Sequence, residues 1–65
     1  MNQYTVHAEF SSTTVEANSP EEAIRSIWNG AVVEKRYPEV NDADRFWVTH
    51  PRFSRPVAMS VVRET

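Results

Sequence analysis

The chain has 65 residues, a formal net charge of −2, 40% apolar residues and 25% charged residues. A length of this order supports one domain over residues 1–65 with a thin core, because so small a chain removes only roughly 60% of its unfolded surface from water. The lack of cysteine excludes a disulfide framework and thiolate chemistry, and no unbroken apolar run exceeds three residues (as at Ala31 to Val33), far short of a membrane span or a signal peptide.

Leucine is absent, and nine valines with two isoleucines take its place. Such β-branched richness favours sheet. Tyr4 to Phe10 alternates, with Tyr4, Val6, Ala8 and Phe10 on one side and Thr5, His7 and Glu9 on the other, as a half-buried strand does. Ser12 to Ala17 alternates again, so a tight turn at Ser11-Ser12 makes the two strands a hairpin. Ser19-Pro20-Glu21-Glu22 then supplies a capping hydroxyl, a proline at the first helical position and a glutamate three residues after the cap. Ala23, Ile24, Ile27, Trp28, Ala31 and Val32 fall on one arc at helical spacing, which predicts an amphipathic helix from about Pro20 to Arg36 with its weak point at Gly30.

Residues 39–44 are polar, acidic and loop-like. Arg45 to His50 reads as a strand with Phe46 and Val48 on one face and Trp47 and Thr49 on the other; a slip of one residue would exchange the faces, and the pattern leaves both registers open. Pro51 to Pro56 is an arginine-rich connection, and Val57 to Arg63 is a last strand. The expected class is therefore α+β in the order β-β-α-β-β, with one helix on one face of an antiparallel sheet of about four strands. Tyr4, Phe10, Trp28, Tyr37, Phe46, Trp47 and Phe53 read as core aromatics, since a thin core spares few of them, and an exposed one would mark an interface.

Catalytic signatures are missing. His7 and His50 stand without cysteine or a zinc-type spacing, there is no G-x-S-x-G elbow, and a single glycine cannot build a phosphate loop. The expectation is a protein that is not an enzyme, with no cofactor and no metal. Charge is uneven along the chain: residues 1–44 carry eight acids against three bases, whereas residues 45–65 carry four arginines against one glutamate. Two binding surfaces follow from this asymmetry. Glu21, Glu22, Glu34, Glu39, Asp42 and Asp44 form an expected acidic patch around the two ends of the helix, with Trp47 as an aromatic anchor, suited to a basic protein surface. Alternatively, Arg45, Trp47, Arg52, Phe53 and Arg55 interleave cations and aromatics in the manner of a nucleic-acid-binding hairpin.

The stretch Val15-Glu16-Ala17-Asn18-Ser19-Pro20-Glu21-Glu22-Ala23-Ile24 resembles a strand-to-helix phrase common in small bacterial and phage proteins. As a whole the chain resembles the short orphan proteins of phages and mobile elements, anti-CRISPR proteins among them, some of which are similarly small, acidic and cysteine-free. That resemblance rests on no shared motif and transfers no residue. What it implies is a stoichiometric inhibitor in the cytoplasm of a bacterial host, whose partner is a host protein such as a CRISPR-Cas effector subunit with a basic DNA-binding surface, and which needs no membrane.

Overall fold

The computed structural model describes residues 1–40 and 43–64, the side chains of residues 37–40 excepted. Six elements follow one another: β1 Asn2–His7, β2 Ser12–Ala17, α1 Pro20–Ile27, β3 Val32–Val40, β4 Ala43–Thr49 and β5 Val57–Arg63. The strands form one five-stranded antiparallel sheet in the order β2-β1-β5-β4-β3. The α+β class with a single helix holds, and the sheet has one strand more than the sequence pattern suggested.

The helix begins where its capping signal lies. Ser19 is extended (φ −154°, ψ 162°) and its side-chain oxygen accepts the N–H of Glu22 at 3.2 Å, with Pro20 at the first helical position and Glu21 and Glu22 in the first turn. It does not continue to Arg36. The Trp28 N–H still reaches the Ile24 carbonyl at 2.8 Å, and then the Ala31 N–H closes a turn on the Trp28 carbonyl at 3.0 Å. Gly30 sits third in that turn with φ 87°, a conformation that glycine adopts without strain. Ala31 and Val32 match the helical arc only by coincidence of spacing. Beyond Gly30 the chain brings Val32, Val33 and Val40 and carries Pro38, which pushes Tyr37 towards extended backbone, so pairing with β4 wins over helix continuation.

Two further expectations change. The first strand stops at His7, and Ala8 to Ser11 form the hairpin connection, where the Ala8 N–H donates to the Ser11 carbonyl at 2.8 Å. Phe10 therefore leaves the core and stands 93% exposed at the tip. The acidic stretch expected as a loop is largely strand, since Val40 pairs with Ala43; Asn41 and Asp42 lie outside the described residues.

Alternation of side chains puts Tyr4, Val6, Ala17, Phe46, Val48, Met59 and Val61 on the helix side of the sheet, where they form one core with Ala23, Ile24 and Ala31. Helix α1 packs over β2, β1 and β5. The β4 part of the same face is closed by the residues after the helix and by the connection between β4 and β5, which add Trp28, Ala31 and Phe53 to that core. Phe46 and Val48 are thereby buried to 1% and 0% exposure. That settles the register of β4, with Phe46 inward and Trp47 outward, as the first of the two registers had it. Among the described residues no helix is long and apolar enough to cross a membrane.

Candidate functional site

Opposite the helix the sheet is open. Beside Trp47 its floor is laid by small side chains of β5, Ala58 directly across from the ring and Ser60 across from Arg45, while further over on β1 and β2 the hydroxyls of Thr5 and Thr14 lie 3.1 Å apart. Small residues keep a sheet face flat, so any large side chain on it projects. Trp47 is the aromatic among those here, with Glu34, Arg36 and Arg45 beside it on the same face. It stands opposite Glu34 on β3 and Ala58 on β5 and remains 41% exposed.

The arginines next to Trp47 come from its own strand and from the neighbouring β3. Arg45 of β4 is paired with Arg36 of β3, and the Arg36 guanidinium carbon lies 4.3 Å from the centre of the Trp47 ring. A stacked cation of this kind is worth about 0.5–1 kcal/mol at an exposed site and holds the ring in one orientation. Arg36 and Arg45 directly opposite one another are like charges on adjacent strands, an arrangement that by itself costs a sheet stability. Beside them, Val32, Glu34, Trp47, Thr49, Arg55 and Pro56 line a shallow concavity of about 590 Å³. Val32 is 66% exposed there, so the concavity has an apolar rim with a carboxylate and a guanidinium inside it.

The described members of the expected acidic patch are not brought together as one surface. Glu21 and Glu22 lie in the first turn of α1, while Glu34 is on the open face opposite Trp47. Asp44 faces the other side of the sheet, since it alternates with Arg45 and lies in step with Phe46, and its carboxylate accepts from the Lys35 ammonium at 2.9 Å. Glu39 falls within β3 with its side chain outside the described set, and Asp42 lies outside the described residues. The separation has a simple cause: the patch was expected at the exit of a long helix, and that stretch is instead a β-hairpin whose residues alternate between faces.

The arginine and aromatic set divides as well. Arg45, Trp47 and Arg55 come to the open side, whereas Phe53 turns to the helix side and packs edge-on against Trp28 with ring centres 4.8 Å apart. Arg52 lines a second recess of about 440 Å³ with Ile27, Trp28, Asn29 and His50. His50 fastens this region. Its Nδ1 accepts the backbone N–H of Arg52 at 3.1 Å, which requires the neutral ring to carry its proton on Nε2, and Nε2 then donates to the Asn29 carbonyl at 3.0 Å. The ring also lies 5.5 Å from both Trp28 and Phe53. His50 thus clasps the end of α1 to the β4–β5 connection and completes the core over β4.

Arg36 is the member of the open-face cluster that sequence reasoning missed, because a helix through residue 36 carried it elsewhere. The signal was present in the alternation of Val32, Glu34 and Arg36 against Val33, Lys35 and Tyr37, which a strand reading would have taken up. No protein-family model matches the chain, and no curated protein and no solved structure matches it.

Proposed function

We propose that this protein is a non-enzymatic binding module that meets a protein partner through the open sheet face around Trp47. The observation that carries the reading is the exposed Trp47 ring, stacked with Arg36 and set on a flat floor of small residues. Tryptophan and arginine dominate the energetics of protein interfaces, and a ring already held in place loses little freedom on docking. In its most specific form the protein is an inhibitor of the anti-CRISPR type, acting on a CRISPR-Cas effector subunit in a bacterial cytoplasm. The contact is then the Trp47 face, and a continuous acidic patch plays no part in it.

The test is a tagged pull-down from bacterial lysate with the wild type and Trp47→Ala side by side, each with and without nuclease. A stoichiometric protein that survives nuclease and is lost with Trp47→Ala supports the reading. A partner retained by the folded variant overturns it.

One observation favours a second reading: Arg36, Arg45 and Arg55 all lie around Trp47 on the open side. Guanidinium groups beside an aromatic platform suit a single-stranded nucleic acid, whose bases stack and whose phosphates take the charge. Titration with a labelled single-stranded oligonucleotide at low and moderate salt separates the two. Affinity that falls steeply with salt and is lost in Arg36→Ala assigns the face to nucleic acid.

A further inference from the structure

An open antiparallel sheet ends in two edge strands, whose outward peptide groups invite another chain unless something blunts them. The edges here are β2 and β3, and they are not alike. Along β3 stand Lys35, Pro38, which has no N–H to offer, and a shift in pairing between Arg36 and Val40. None of these devices occurs in β2. Each residue from Ser12 to Ala17 pairs with β1 without a shift, and the sequence Ser-Thr-Thr-Val-Glu-Ala contains no lysine, arginine or proline.

The direction of the β2 peptide groups follows from the hairpin. The Ala8 N–H donates to the Ser11 carbonyl, which makes Ala8 and Ser11 a hydrogen-bonded pair at the end of the hairpin. In an antiparallel ladder bonded and non-bonded pairs alternate. Val6–Thr13 and Tyr4–Val15 are therefore bonded, and His7–Ser12, Thr5–Thr14 and Gln3–Glu16 are not. The far side of β1 agrees, because the Gln3 carbonyl accepts from the Glu64 N–H at 2.7 Å and so faces β5. On β2 the peptide groups of Ser12, Thr14 and Glu16 consequently point out of the sheet.

This edge is complementary to itself. An antiparallel match about a two-fold axis at Thr14 sets Thr14 opposite Thr14 and Ser12 opposite Glu16 of the second copy, so each outward-pointing residue meets another and exchanges both hydrogen bonds. Their side chains share the open face. Thr14 already touches Thr5 through its hydroxyl, and the match extends that contact into a threonine row across both copies. The Glu16 carboxylate meets the Ser12 hydroxyl, an acceptor against a donor. Moving the axis to Glu16 would oppose two carboxylates, which disfavours that register.

We infer that the β2 edge is a self-association surface, pairing antiparallel with β2 of a second copy about Thr14 to form one continuous sheet. The inference stands apart from the Trp47 reading, since β1 and β5 lie between β2 and the strand β4 that carries Trp47. Sedimentation velocity of the full chain from low micromolar to submillimolar concentration tests it, together with Thr14→Lys, which opposes two ammonium groups at the axis. The expected result is a wild type that moves from monomer to dimer and a variant that stays monomeric with an unchanged far-ultraviolet circular dichroism spectrum. Amide exchange on the wild type gives a check that needs no variant: Ser12, Thr14 and Glu16 should slow as concentration rises. A wild type that is monomeric throughout, a Thr14→Lys dimer as strong as the wild type, or protection that builds along β3 instead would each overturn the inference.

Discussion

Strand β4 serves two different surfaces with alternate residues. Phe46 and Val48 are almost wholly buried beneath the post-helical turn and the β4–β5 connection, whereas Trp47 between them is left half in solvent. The two sides of one strand thus differ in what their large side chains are for. On the covered side an aromatic ring stabilises the fold by leaving water and filling space. On the open side the ring gains only partial burial and one stacked guanidinium, and 41% of the residue's surface stays open to contact. A small domain cannot spare apolar surface for its core, and a tryptophan held out of that core is therefore evidence for a binding face.

Substitutions sharpen this contrast, and the largest effect belongs to the covered side. Phe46→Ala should cost about 3–5 kcal/mol, through lost burial and the cavity it leaves, and chemical denaturation should find little folded protein. If Phe46→Ala folded as stably as the wild type, the covered face would not be the core. His50→Ala removes both ends of the clasp, and a loss of about 1–2 kcal/mol is expected, read as a lower denaturation midpoint. Imidazole nitrogen shifts measured by NMR should show the neutral tautomer protonated at Nε2; the other tautomer would contradict the clasp. Ser19→Ala tests the start of the helix and should cost about 1 kcal/mol through the lost cap.

Trp47→Ala is expected to reverse the pattern seen for Phe46. Its effect on stability should be about 1 kcal/mol or less, since the ring is partly solvated already, while its effect on partner binding should be a near-complete loss. A stability loss as large as that of Phe46→Ala would erase the distinction between the two faces. The smallest change is Asp44→Asn. The Lys35–Asp44 pair is only partly buried, so breaking it should shift stability by about 1 kcal/mol at most and should shrink further with added salt.

Much of this molecule follows from local rules. The Ser19 cap with Pro20 and the alternation along Ser12 to Ala17 and Val57 to Arg63 depend on a few neighbouring residues, and the structure has them where the pattern places them; the hairpin of the first two strands is present as well, but its turn lies at Glu9-Phe10 and not at Ser11-Ser12. The end of the helix was different in kind. Ala31 and Val32 satisfy helical spacing, yet only the availability of β4 as a neighbour decides that Val32 to Val40 is a strand. That one decision moved Arg36 to the side of Trp47 and separated Glu34 from Asp44, so that the described members of the expected acidic patch lie on different faces.

What the sequence by itself determined is the α+β class, the helix start and the alternating pattern of the strands, because capping, proline geometry and side-chain period act over a few residues. What only the tertiary structure decided is the fifth strand, the outward turn of Trp47 and the gathering of Arg36, Arg45 and Arg55 around it. These depend on which strands lie side by side and which face the helix covers. A strand's two sides are equivalent until another part of the chain buries one of them, and it is that burial, at Phe46 and Val48, that leaves Trp47 exposed.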